Sequence, residues 1–121
     1  MTQEKKQLLL KDLSARLPYK PHVYIKNGKV YYVDIVLNGT YIHDWMTVPS
    51  CQNITIKPYL RPMSSMTEEE EAEYYALNAY EGVFPHNEDA LDYVLEHHFD
   101  FRGLIEKGLA LEAPEGMYNK N

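Results

Sequence analysis

The chain has 121 residues, with 12 Lys and Arg against 18 Asp and Glu, a formal net charge of −6 and a 45 % hydrophobic share. That length holds one core, and the apolar share is enough to fill it. No run reaches the roughly 18 apolar residues of a membrane span, the N-terminus lacks the apolar stretch and cleavage site of an export signal, and the one cysteine, Cys51, excludes an internal disulfide; the expectation is a cytoplasmic protein without membrane association.

In chain order, residues 3–16 read as a helix. Leu9, Leu10, Leu13 and Leu17 recur at helical spacing, Lys5, Lys6, Lys11 and Asp12 lie elsewhere around the wheel, and Pro18 ends it. Residues 21–46 read as a three-stranded meander, because Asn27-Gly28 and Asn38-Gly39 are strong two-residue hairpin signals. One face then carries Val23, Ile25, Val30, Tyr32, Val36, Tyr41 and Trp45, and the other Tyr24, Tyr31, Val33, Ile35, Leu37 and Ile42. Both are apolar, so either helices cover both or the sheet curls into a small barrel, such as an SH3-like half-barrel. Residues 53–57, with Ile54 and Ile56 alternating, supply a fourth strand.

The stretch 57–67 changes the character of the chain. Pro58 and Pro62 remove backbone donors and push Lys57 and Arg61 toward extended geometry, so the segment is expected to leave the sheet. Thr67 with Glu70 fits a capping box, and four successive Glu suit the positive end of a helix dipole, so a helix starts at Thr67 and runs to about 80. Ala72, Tyr75, Ala76 and Ala79 form its expected buried side, and Gly82 and Pro85 break it. Asn87 caps a third helix whose buried face is Leu91, Val94, Leu95 and His98. Asp100 is expected to cap a short fourth helix closed by Gly108, and Leu109, Leu111, Pro114 and Met117 to lie on the core as a tail. The expectation is an α+β single domain over 1–121: an N-terminal helix, a four-stranded antiparallel meander, then three C-terminal helices. Charge divides along the same line. Residues 1–63 carry a net +5 and residues 64–121 a net −11, an asymmetry that can steer partners.

Three segments carry a resemblance: KPYLRPMSSMTEEE at 57–70, KDLSARLPY at 11–19 and HFDFRGLIEKGLALEAPEGMY at 98–118, together 44 residues. They resemble a group of small uncharacterised proteins of gut anaerobes, their phages and mobile elements. The resemblance implies a cytoplasmic protein of that setting, and it implies no activity, cofactor or catalytic residue.

Candidate chemistry is sparse. His97, His98 and Asp100, with His86 nearby, invite a metal reading, but helical neighbours point about 100° apart. The packing alternative is that His98 closes the helix and His97 is solvated at its end. His43-Asp44, read on a strand, would face opposite sides. Cys51 lies in a loop without a recognised His or Asn pattern, and solvated first-turn carboxylates account for Glu68 to Glu71. No phosphate loop or nucleophile elbow is present. The expectation is therefore no enzyme, no metal and no cofactor.

The 11 tyrosines are more informative. Tyr24, Tyr31, Tyr32, Tyr41 and Trp45 fall on the expected strands, interleaved with Lys20, Lys26 and Lys29. Core packing is the plain reading of about half of them. Tyrosine is also a favoured protein-interface anchor, and aromatics among lysines on a small sheet suit single strands of nucleic acid. The expected function is a non-enzymatic protein-interaction module, its contact surface drawn from those five aromatics and its partner another protein or a second copy. The alternative is a nucleic-acid-associated protein binding through the basic half.

Overall fold

The computed structural model describes residues 2–47, 54–79 and 82–118. Helix α1 spans Gln3–Arg16, and Thr2 caps it by accepting from the Lys5 amide at 3.2 Å. Its buried stripe is Leu9, Asp12, Leu13 and Arg16. Asp12 is thus on the core side of the helix and not the solvent side. Positions 12 and 16 share the face of 9 and 13, and their charges are buried as a pair. A 3-10 turn, Leu17–Tyr19, follows.

Strands β1 (His22–Asn27) and β2 (Val30–Val36) form the expected hairpin. Its loop is Gly28-Lys29, one residue later than the Asn27-Gly28 reading, since Asn27 pairs with Val30. Gly28 has φ of +62° and Lys29 is not left-handed, which is the II′ pattern with glycine first. Beyond the hairpin the meander stops. Gly39–Thr47 is helix α2, not a third strand, and Gly39 does not take a positive φ. Asn38 caps this helix, its Oδ1 accepting from the Tyr41 amide at 3.1 Å, and Asn serves a cap as readily as a turn. Ile42 and Trp45 then meet the core at helical spacing.

Strand β3, Thr55–Leu60, pairs antiparallel with β1, and the two-residue β4, Leu111–Glu112, pairs parallel with β3, giving the order β2-β1-β3-β4. The sheet is open, with β2 at one end, and neither the antiparallel meander nor the half-barrel describes it. The chain also stays in the sheet through Pro58. The β1 ladder ends at the Val23–Pro58 pair and the β4 ladder begins at Tyr59, so the proline stands where one ladder gives way to the other.

Helices α3 (Glu68–Leu77) and α4 (Glu88–Glu96) pack on each other. Thr67 and Glu70 make the full capping box. Asn87 caps α4 by accepting from the Ala90 amide at 2.8 Å. The buried face of α3 is Tyr74, continued by Asn78, while Ala72, Ala76 and Ala79 are exposed. Asn78 is buried because it organises the following loop: it donates to the Gly82 and Phe84 carbonyls and accepts from the His86 amide. The expected third C-terminal helix is a run of turns instead. Asp100 accepts from the Leu104 and Ile105 amides at 2.8 and 3.0 Å, and Gly108 closes the run at φ +74°.

Two apolar clusters result. Leu9 and Leu13 of α1, with Ile42 and Trp45 of α2, pack against Val23, Ile25, Ile56 and Leu60 of the sheet, and Leu104, Leu109 and Ala110 close that cluster. Tyr74, Ala90, Tyr93, Val94 and Phe99 form the second. Among the described residues no helix is long and apolar enough to cross a membrane.

Arg61 and Glu70 join the sheet to α3. Arg61 donates both guanidinium nitrogens to the two Glu70 oxygens at 2.8 and 2.7 Å, while Glu70 also accepts from the Thr67 amide at 3.0 Å. The Arg61 hydrogen bonds come first in holding its carboxyl down to about 2, against burial, which opposes them. The folded chain therefore binds this proton less tightly than the unfolded chain. Its contribution to stability is complete above the ordinary value of 4.5 and is lost as pH falls through about 2. Thr67→Ala is expected to cost about 0.5–2 kcal/mol at neutral pH. Glu70→Ala is expected to flatten part of the acid limb of a stability–pH curve, and an unaltered curve would remove Glu70 from the acid response.

A candidate binding face on the sheet

Among the described residues, the helices pack against one side of the sheet. On β3 the burial strictly alternates, with Ile56, Pro58 and Leu60 buried and Thr55, Lys57 and Tyr59 half-buried. On β1, Val23 and Ile25 are buried while His22 and Tyr24 are half-buried and Lys26 is exposed. The registers place Lys26 beside Tyr31 on one side and Thr55 on the other, and Tyr24 beside Lys57. Tyr59 lies one step beyond the Val23–Pro58 pair, on the same side as Tyr24 and Lys57. The outer side thus carries Tyr31, Tyr24 and Tyr59 along a diagonal across three strands, flanked by Lys26 and Lys57. None of these residues is buried.

Their contacts agree with the register. The Tyr24 and Tyr31 rings are 6.2 Å apart and tilted, and the Lys26 ammonium sits 5.4 Å from the Tyr31 centroid. Burial, then the Asp34 carboxylate, then Tyr24, push the Tyr59 phenol up from its ordinary value. Each of the three tyrosines can offer a ring face and a hydroxyl donor.

A bulge sets the far end of this face. Between the Val23–Ile35 and Ile25–Tyr32 pairs, β2 has one more residue than β1, and Asp34 takes a left-handed φ of +54°. The extra residue turns Ile35 inward and Val36 outward, the reverse of the unbroken alternation. It also carries the Asp34 carboxylate to Nδ1 of His22. The His22 ring meets Tyr118 edge-on at 5.1 Å, and Tyr118 stacks on His98 at 3.7 Å. The Tyr118 hydroxyl accepts from the His22 amide at 2.9 Å and donates to the Tyr59 carbonyl at 2.7 Å, so it staples the ends of β1 and β3. Beside it opens a cleft of about 400 Å³ lined by residues including Tyr19, Lys20, His22, Glu96, His98 and Tyr118.

Comparison with protein-family models, with curated proteins and with solved structures finds no match. The geometry of the chain itself carries the functional reading.

Of the five aromatics expected at a contact surface, the structure brings Tyr24 and Tyr31 together on the outer face and leaves Tyr32 exposed at the β2 edge, 51 % accessible. Tyr41 and Trp45 are on α2, where Tyr41 packs on the core and Trp45 is buried within it, with Lys6 over its ring at 5.3 Å. They belong to the core because their segment is a helix over the inner face. Tyr59 and Lys57 complete the outer face. Their period-two alternation with buried Ile56, Pro58 and Leu60 is the sequence signal for them, obscured by the proline.

The His and Asp residues of the metal reading are dispersed. His97 packs on Tyr93 at 4.2 Å with Nδ1 3.8 Å from Glu70, His98 stacks on Tyr118, and His86 lies against Phe84 at 6.2 Å. The Asp100 carboxylate is occupied by two amides. Among the described residues no group of three or more His, Cys, Asp or Glu is placed to hold a metal ion. His43 and Asp44 are on α2 and not on a strand. Cys51 lies outside the described residues.

Proposed function

We propose that this protein is a non-enzymatic interaction module that takes a protein partner at the free edge of its sheet. The observation that carries this reading is the state of β2. It is the outermost strand, no described strand pairs with its far side, and Tyr31, Tyr32 and Val36 along it are 56, 51 and 44 % exposed. An exposed strand edge offers a row of backbone donors and acceptors, and an added strand satisfies them while side-chain anchors supply specificity. The bulge at Asp34 restricts regular pairing to the stretch before it, 30–33, and guards the edge against indiscriminate association. A second copy of the chain is one form such a partner can take. The resemblance to small proteins of gut anaerobes, their phages and mobile elements puts the module, as part of this proposal, in the cytoplasm of such a host.

Selection from a displayed library of extended seven-residue peptides tests the reading. Enriched peptides are expected to alternate apolar and polar residues, to slow hydrogen exchange at the 30–33 amides, and to lose binding to Tyr32→Lys. Failure to enrich any peptide, or protection only on the helices, would refute strand addition.

A further inference from the structure

We infer that the outer face of the sheet, as distinct from its edge, is a platform for single-stranded nucleic acid. The inference goes beyond the edge reading and shares only Tyr31 with it: Tyr24, Tyr31 and Tyr59 are stacking surfaces, Lys26 and Lys57 phosphate partners. Three features carry it.

The first is geometry. Diagonal neighbours across adjacent strands are separated by roughly 7–8 Å, so the Tyr31–Tyr24–Tyr59 diagonal offers successive rings to successive bases. Sheet proteins that bind single strands stack bases on aromatics in this manner, without needing to read sequence. The second is charge. The protein is −6 overall, yet the outer face carries Lys26 and Lys57, with Lys29 in the adjoining turn and Lys20 just before β1; among the described residues, Glu96 lines the cleft beside Lys20, and the bulge brings in the carboxylate of Asp34. That carboxylate is turned onto His22. A polyanion is the partner whose charge complements such a face on an otherwise acidic chain. The third is preparation. Lys26 already rests over the Tyr31 ring, an exposed cation–π contact that exchanges at little cost for a base on the ring and a phosphate at the ammonium.

A purely apolar protein contact would not call for a lysine beside a tyrosine in both the Tyr31–Lys26 and the Tyr24–Lys57 rows. The acidic helices α3 and α4 lie elsewhere, with Glu68 to Glu71 in the first turn of α3, and they favour a single orientation for an approaching polyanion.

The test is fluorescence anisotropy of a labelled 12-nucleotide oligo(dT), and its oligo(U) counterpart, against the full chain in low salt. Binding is expected to weaken with salt at a log–log slope of about −1.5 to −3, as for two to four phosphate contacts on a single strand. Tyr31→Ala is expected to lose roughly 5- to 150-fold, the worth of one stacked base, and Lys26→Glu with Lys57→Glu to abolish binding. Tyr31 and Lys26 are exposed and Lys57 is half-buried at the outer side, so these variants are expected to keep their fold, which circular dichroism checks. Tyr32→Lys, which disables the edge, is expected to leave oligonucleotide binding intact. If neither oligonucleotide binds in low salt, or binding survives both the Tyr31 and the lysine variants, the inference fails. Oligonucleotide silence with peptide capture intact would sink the platform and spare the edge; the reverse result would spare the platform and sink the edge.

Discussion

Asp12→Ala is expected to destabilise the protein by about 3–5 kcal/mol, much of what a domain of this size has to lose. Asp12 is fully buried and accepts from two arginines, from Nε of Arg16 at 2.7 Å and Nε of Arg102 at 3.1 Å. Arg16, also fully buried, donates through Nη2 to the Phe99 carbonyl at 2.7 Å. This network fastens α1 to the segment after α4, joining the two clusters. Removing the carboxylate strands the Arg16 guanidinium in the interior, where an uncompensated charge is costly. The charge, and not the volume, carries the effect, so Asp12→Asn is expected to recover only a minor part. The double replacement Asp12→Leu with Arg16→Met is expected to cost less than Asp12→Ala, since it leaves no buried ion behind. Urea denaturation measures all three, and a loss under about 1 kcal/mol for Asp12→Ala would show that the network is not holding the helix.

Trp45→Ala is expected to cost about 3–5 kcal/mol, in contrast with Tyr31→Ala, expected within about 0.5 kcal/mol of the parent. Both residues are aromatic and both fall in the stretch that reads as a meander. The difference lies in α2. Trp45 is 2 % exposed among Leu9, Leu13, Ile42 and the sheet, so its removal opens a large cavity, whereas Tyr31 is 56 % exposed on the outer side. Thermal or urea denaturation of the two variants side by side decides the matter. Equal losses would mean that the outer face is covered, and the binding readings would fall with it.

Much of the fold was legible wherever the governing interactions are local. Helix α1 has the bounds read from its leucines and Pro18, and the caps at Thr67 and Asn87 form as their side chains dictate. The β1–β2 hairpin follows from its glycine. The readings that failed needed long-range information. Asn38-Gly39 suits a hairpin turn and a helix start equally, and only the fit of Ile42 and Trp45 against α1 and the sheet chooses the helix. Pro58 argues against a central strand, but two ladders that hand over at that residue remove the conflict. Strand β4 is two residues long and pairs with a strand some fifty residues earlier, which no local pattern records. Asp12 reads as lying off the apolar stripe because one of its partners, Arg102, is ninety residues away.

The candidate site was legible by half for the same reason. Tyr24 and Tyr31 share a face in the strand alternation, and they do so in the structure. Tyr59 joins them only once β3 is known to run through the proline and to pair with β1. His22 and Asp34 meet because the bulge puts Asp34 in a left-handed conformation, which an aspartate enters more readily than most residues but which nothing in the surrounding sequence announces. Tyr118 reaches back across the chain to the ends of β1 and β3.

The central claim is that one side of this sheet is core and that its edge is where a partner strand binds. Amide-resolved NMR of the ¹⁵N-labelled protein, titrated with the best peptide from the displayed library, tests it most directly. Shifts are expected on β2 and on the neighbouring amides of β1, with exchange protection concentrated on 30–33 and with α3 and α4 undisturbed. A perturbation map centred instead on the groove of Met63, Met66, Tyr74, Tyr75 and Val83, with the β2 amides unchanged, would contradict it.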